Sequence, residues 1–302
     1  MCRRSRNLLL DSSTTNLMNS LHHDIRHRCL TAFFVVVVCV QGNTQPQATT
    51  KSLGSNSRWV LVWSDEFDGP DGSLPDPTKW SLESGGNGWG NQELEYYTPR
   101  RQNVRLEKGS LVIEAIKERF TGPDGRRDYT SARLKTEGQF SQRYGRFEAR
   151  IQVPSGQGLW AAFWLLGDDF SKLGWPECGE IDVMENVGSE PATIHGSMHG
   201  PGYFGANALT AAYALPKGRV SDGFHVFAIE WEPRLVRFYV DGVLYATKTP
   251  SDISGEKRWV FDHPFFVILN LAVGGSMAGS PNAATTFPQR MLVDYVRVYS
   301  RK

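Results

Sequence analysis

Cysteine is scarce in this chain and badly placed for a disulfide framework. Only four occur in 302 residues, and Cys2, Cys29 and Cys39 all fall near the start. Cys178 is left alone in the remainder, so a compact domain there must rely on its core, as a domain of this size can. Long apolar runs are lacking too. No stretch of 18 apolar residues exists, which argues against a spanning helix. Neither sign of charge dominates: 33 basic and 32 acidic residues give a formal +1, and nothing in that balance favours nucleic acid. Sustained helical periodicity, internal repeats and a second linker are missing as well.

The N-terminus reads separately. Arg26 and Arg28 precede an apolar run from Leu30 to Val40, and a polar stretch from Gln41 to Ser57 follows. That order matches a secretory signal with a basic start and a short apolar centre. Residues 1–42 are therefore expected to be an extension plus signal peptide, with Met18 a candidate start and the signal near 18–42. An uncleaved membrane anchor is the alternative. Residues 43–57 read as a polar linker, and 58–302 as one domain. Removing residues 1–42 leaves 28 basic and 30 acidic residues, formally −2. The expectation is a secreted, extracellular monomer with no membrane attachment after signal removal and no nucleic-acid partner.

What the chain does have is alternation. In Gly145–Pro154, Phe147, Ala149, Ile151 and Val153 alternate with Arg146, Glu148, Arg150 and Gln152, the pattern of a half-buried strand. Ser110–Lys117, Phe265–Val273 and Met291–Tyr299 are further strand candidates, rich in branched and aromatic residues. Val236–Val240 and Val243–Thr247 flank Asp241-Gly242, a hairpin signal. Thirty Gly and sixteen Pro supply turns. Many short strands without helices predict an all-β fold, a jelly-roll sandwich of two antiparallel sheets.

The informative segment is Gly174-Trp-Pro-Glu-Cys-Gly-Glu-Ile-Asp-Val-Met-Glu-Asn-Val-Gly188. Glu180 and Asp182 are two apart and share one face of a strand, with Ile181 and Val183 on the other. Glu185 is five from Glu180, a spacing that sends it inward unless a β-bulge at Met184 adds a residue. Three carboxylates in a row repel one another and raise the proton affinity of at least one. Retaining glycoside hydrolysis needs such a pair, an acid beside a carboxylate roughly 5 Å apart. A solvated acidic face or a metal site uses the same residues.

Glu-Ile-Asp-Val-Met-Glu resembles the active-site signature of glycoside hydrolase family 16, and the longer Trp-Pro-Glu-Cys-Gly-Glu-Ile-Asp-Val-Met-Glu is similar to its laminarinase branch, the endo-β-1,3-glucanases. The resemblance extends through Trp63-Ser-Asp-Glu-Phe-Asp68, Gly88-Trp-Gly-Asn-Gln-Glu-Leu-Glu-Tyr-Tyr97, Tyr129-Thr-Ser-Ala-Arg133 and Gly158-Leu-Trp-Ala-Ala-Phe-Trp-Leu-Leu-Gly167. It continues in His195-Gly-Ser-Met-His-Gly-Pro-Gly202, Asn270-Leu-Ala-Val-Gly-Gly275 and Val293-Asp-Tyr-Val-Arg-Val-Tyr299. It implies a concanavalin-like catalytic domain over 58–302 with an open cleft for β-glucan. It also implies Glu180 as nucleophile, Asp182 as its assistant and Glu185 as general acid/base, with no cofactor for catalysis.

The resemblance further implies substrate contacts. Trp175, Trp160 and Trp164 are expected to line the cleft as platforms for sugar rings, Arg133 to hydrogen-bond sugar hydroxyls, and His199 to hydrogen-bond near the scissile bond. Asn87, Trp89 and Asn270 are additional contacts, and His195 is structural. Each has a plainer reading: tryptophan as core, Arg133 as an ion pair, His199 as a core histidine. Cys178 is expected to be an inert buried thiol, since no basic partner activates it. A structural Ca²⁺ away from the active site is implied at Glu66, Gly109 and Asp294, and a hydrogen bond from Asp294 holding the last strand is the alternative. Competing activities are β-1,3-1,4-glucanase, another polysaccharide hydrolase of the family, or a transglycosylase. A non-catalytic glucan-binding protein is disfavoured because both glutamates are present.

Overall fold

The structure is a computed structural model that describes residues 58–302. The expected signal segment and the 43–57 linker lie outside the described residues.

Two large antiparallel sheets face each other. The eight-stranded sheet runs in the order Val243–Lys248, Leu235–Val240, His225–Glu232, Gly145–Gln152, Gln289–Arg301, Leu111–Ala115 and Val104–Leu106. Its eighth strand, Trp59–Asp65, also pairs with Gln289–Arg301. The seven-stranded sheet runs Ala211–Ala214, Thr193–His199, Glu180–Val187, Leu159–Gly167, Phe265–Val273, Arg133–Lys135 and Ser81–Leu82. Neighbours in space are often distant in sequence, as expected of a jelly roll.

Alternation decides which side chains meet between the sheets. Gly145–Gln152 alternates buried and half-buried at every position, sending Phe147, Ala149 and Ile151 inward. From the opposite sheet, Phe163, Leu165, Ile181, Val183, Leu269 and Leu271 enter the same core. Each such side chain, fully buried, contributes about 1.5–3 kcal/mol. The Phe265–Val273 strand is buried along its whole length. Its odd positions fill the main core. Phe266 and Ile268 on the other face join Leu166 and Cys178 in a second small cluster.

The Asp241-Gly242 hairpin forms as its sequence predicts. Both residues have positive φ, 50° and 79°, and Val240 pairs with Val243 across the turn. Among the described residues the α-helices are single turns, Phe170–Leu173 and Gly275–Ala278.

Candidate active site

The strand Glu180–Val187 carries every acidic residue of the seven-stranded sheet's strands. Its register on Leu159–Gly167 jumps: Trp164 faces Asp182, but Phe163 faces Met184. On the other side Asp182 faces Ser197 and Glu185 faces His195, again with one residue too many. This is a β-bulge at Val183–Met184. Both bulge residues are buried in the core beside Ile181, so Glu185 emerges on the same face as Asp182 and Glu180. Without the extra residue, Glu185 would enter that apolar core as an unpaired carboxylate, at a cost of several kcal/mol. Forgoing one ladder hydrogen bond costs about 1 kcal/mol. The bulge is the cheaper arrangement by a wide margin.

The carboxylates have few partners. His199 faces Glu180 across the sheet; its Nε2 lies 3.0 Å from Asp182 Oδ2 and 3.7 Å from Glu180 Oε1. The shorter contact is poorly aligned, so buried Asp182 Oδ2 lacks a properly directed donor. The Gly205 N–H donates to His199 Nδ1 at 3.2 Å. That bond assigns the ring's own hydrogen to Nε2, toward the acids. Glu185 accepts a hydrogen bond from Trp160 Nε1 at 3.0 Å. Among the described residues no Lys or Arg forms an ion pair with any of the three acids.

Burial without compensation raises proton affinity. Glu185 is pushed up to about 8, chiefly by desolvation and then by the charge of Asp182; His199 and the Trp160 hydrogen bond act in the opposite sense. The Glu180–Asp182 pair is also raised, by desolvation first and, for Glu180, by the Asp182 charge next. The cluster therefore keeps protons at neutral pH, which an acid beside a nucleophile requires. Glu180, Asp182 and His199 also form a group with ligand atoms within 4.8 Å of one another. An Asp–His contact beside a carboxyl explains this spacing without an ion.

Around this centre the other expected residues divide. Trp160 and Trp164 lie on one face of their strand with Ala162 between them, both half-buried. The Trp160 N–H is committed to Glu185, so this indole positions the acid as well as lining the face. The Trp164 N–H donates to Asn270 Oδ1 at 2.8 Å, and Asn270 Nδ2 donates to Tyr97 OH at 3.1 Å. Tyr97 OH in turn donates to Glu93 at 2.9 Å. Asn270 is thus used up inside the protein, tying the cleft sheet to the 85–97 segment. Arg133 forms an ion pair with Glu83, and its guanidinium lies 4.7 Å and 4.8 Å from the Trp89 and Trp164 ring centroids. Its charge also lowers the proton affinity of Glu180. Asn87 is exposed and caps the Trp89 N–H at 3.0 Å.

Trp175 stands out as 41% exposed, 6.0 Å from the His199 ring. Its loop is fastened by Cys178, which is fully buried against Leu166, Phe266 and Ile268. Strand and loop run so close that a Cβ on Gly167 would lie 2.0 Å from Cys178 O. Burial pushes the Cys178 thiol up to about 12, as an inert thiol requires. His195 is held by Glu190 at 2.8 Å. Glu83 and Phe204, which carry no sequence signal, also enter the site, as do Glu93 and Tyr97, whose motif assigned them no role. Glu83, Tyr97 and Phe204 become significant through neighbours far away in the chain, Arg133, Asn270 and Trp175.

Glu66, Gly109 and Asp294 lie apart from these acids in the chain's other sheet and its turns. Arg297 donates to both Glu66 carboxylate oxygens, at 3.0 and 2.7 Å, and Arg150 holds Asp294 Oδ2 at 2.8 Å. Gly109 adopts φ 71° in the turn before Leu111–Ala115.

Comparison with known proteins gives a consistent picture. Residues 89–297 match the model of the family described as Glycosyl hydrolases family 16. A β-glucanase from Rhodothermus marinus is 45% identical over 249 residues, covering 80% of this chain and 85% of that protein. The solved endo-β-1,3-glucanase from Pyrococcus furiosus superposes with a TM-score of 0.77 at 50% identity, covering 81% of this chain and 95% of that one. The laminarinase catalytic domain from Thermotoga maritima MSB8 gives a TM-score of 0.77 at 48% identity, covering 81% and 99%.

Proposed function

This chain belongs to glycosyl hydrolases family 16, and on that basis we propose that it cuts internal β-1,3-glucosidic linkages of laminarin-type β-glucans by a retaining double displacement. The observation that carries the reading is the bulge that brings Glu180, Asp182 and Glu185 to one face, with no Lys or Arg among the described residues in an ion pair with them. Relatives named as glucan endo-1,3-β-glucosidase, laminarinase and β-glucanase support the choice of substrate.

The chemistry follows from the positions. Glu180 attacks the anomeric carbon while Glu185, kept protonated by burial, gives its proton to the leaving oxygen. Glu185 is then a carboxylate, steadied by the Trp160 N–H, and takes a proton from the incoming water. Asp182, between them, holds a proton against Glu180 and spreads the charge of the pair. His199 stands beside Asp182 from the neighbouring strand, its Nε2 3.0 Å from Asp182 Oδ2. Trp175, Trp160 and Trp164 offer apolar ring faces to sugars, and Arg133, clamped between two indoles, offers its remaining N–H groups.

The reading extends to assembly and location. The protein is secreted through the segment near residues 18–42 and acts as a monomer, without membrane or nucleic acid. Among the described residues no helix is long and apolar enough to cross a membrane. The structural calcium takes a narrower form. With Glu66 and one Asp294 oxygen committed to arginines, an ion there would have Asp294 Oδ1 and backbone carbonyls to draw on. A rise in melting temperature with Ca²⁺ over EDTA supports it; identical curves remove it.

Reducing-sugar release from laminarin, curdlan, lichenan and agarose, measured side by side, tests the main claim. Preference for laminarin and curdlan is expected, with the β-anomer formed first by NMR. Inactivity on both, or an α-anomer first, overturns it.

A further inference from the structure

One exposed aromatic ring near the acids has no part in the chemistry above. Phe204 is 44% exposed and packs edge-on against Trp175, with ring centroids 5.3 Å apart and planes at 70°. Single exposed apolar residues are ordinary. This one is held in place on both sides. Before it, Tyr203 is fully buried, pairs with Gly200 through two backbone hydrogen bonds of 2.9 Å and donates its hydroxyl to Arg258 O. After it, Gly205 turns at φ 56° and donates its N–H to His199. The same turn therefore orients the histidine beside Asp182 and displays a phenyl ring next to Trp175. Nothing in the core requires that ring to face solvent.

Resting on the glucanase reading, we propose that Phe204 and Trp175 form an aromatic corner that grips one glucosyl ring of the substrate beside Glu180, making Phe204 a determinant of affinity. Sugar rings present apolar C–H faces, and sites for such ligands are lined by aromatic walls. Two rings at 70° make a corner, not a floor. A β-1,3-linked chain turns at each linkage, so one ring can lie against Trp175 while its edge or its neighbour meets Phe204. A β-1,4 ribbon is flat and gains less from the second wall.

The corner makes contact throughout the reaction, so its loss weakens ground state and transition state alike. Such a change raises KM and leaves kcat in place. Phe204→Ala is expected to raise KM on laminarin about fivefold to tenfold, with kcat within about twofold. Phe204→Tyr should restore the wild-type KM. Phe204→Leu separates binding from propping: it keeps bulk against Trp175 but offers no flat ring, so KM should stay high. Because the residue is exposed, all three variants should melt near the wild type. An unchanged KM in Phe204→Ala, or full recovery in Phe204→Leu, overturns the proposal. A wild-type enzyme inactive on laminarin and curdlan sinks the substrate reading and the corner with it. An active wild type with an indifferent Phe204 sinks the corner alone.

Discussion

The two sheets treat their acids in opposite ways. In the strands of the eight-stranded sheet, every acid has a cation. Asp65 has Lys79, Glu114 has Arg105 and Arg290, and Glu148 has Arg146. Glu230 pairs with Arg58 and Arg146, Glu232 with Arg237 and Arg301, and Asp294 with Arg150. In the strands of the seven-stranded sheet the acids are Glu180, Asp182 and Glu185; among the described residues their only ion-pair partner is the His199 imidazole, helped by the Trp160 N–H on Glu185 and, at longer range, by the charge of Arg133. Its own cations are spent on loop acids: Arg133 on Glu83, Lys135 on Glu83 and Glu137. Paired charges hold strands in register. Unpaired ones store proton affinity, and here they do so beside exposed aromatic rings.

The contrast can be broken most sharply at the unpaired acids. Glu180→Gln and Glu185→Gln should each lower the initial rate on laminarin by roughly a thousandfold or more, with melting temperatures no lower than wild type. Near-normal turnover by either variant removes the assignment. Replacing Glu180 by Gly and adding azide should yield a glycosyl azide detectable by mass spectrometry, since azide then takes the place of the missing nucleophile.

At a paired acid the outcome should invert. Glu230 is buried and also accepts a hydrogen bond from Tyr239 at 3.0 Å. Glu230→Gln should cost about 2 kcal/mol in urea unfolding and leave kcat/KM within about twofold. A large activity loss at intact stability would mean that the two sheets are not functionally distinct.

A smaller effect is expected at Trp160→Phe, which removes the hydrogen bond that favours ionised Glu185. Without it Glu185 binds its proton more tightly. The basic limb of the pH–rate profile should therefore move to higher pH, with kcat reduced about fivefold. A limb that stays put, or moves down, separates the indole from the acid's titration.

Stability against pH gives the finest test. A carboxyl raised in the folded state binds more protons there than in the unfolded chain. Its contribution is complete below about 4.5 and is lost as pH rises toward about 8. Glu66, lowered mainly by its hydrogen bonds from Arg297, contributes the other way: its share is present above its ordinary value and is lost as pH falls. Replacing Glu185 by Gln should flatten the decline in melting temperature between pH 5 and 8 by roughly a few degrees. Replacing Glu66 by Gln should leave that window unchanged. A Glu185→Gln curve parallel to wild type contradicts the raised proton affinity.

Much of this was legible from spacing. Gly145–Gln152 and Phe265–Val273 could be drawn as strands from their residues, because alternation and β-branched content are properties of a few neighbours. The bulge was legible too, since Glu180 and Glu185 at an odd separation need it to share a face. The partners were not. Trp160 reads as a sugar platform, yet its N–H goes to Glu185 across the strand pair. Asn270 reads as a substrate contact, yet both ends of its amide serve Trp164 and Tyr97. Phe204 carries no motif and matters because Trp175, 29 positions earlier, lies beside it.

By itself the amino-acid sequence determined the strands, which face of each is apolar, and that three carboxylates stand in line on one of them. Those are local consequences of side-chain order and backbone geometry. Only the tertiary structure decided that these acids form no ion pair with a guanidinium among the described residues, that His199 lies beside Asp182 while Trp160 holds Glu185, and that Trp175 meets Phe204. Charge compensation and ring contact act through space within a few ångströms, and in an antiparallel sandwich the residues at that distance come from distant parts of the chain.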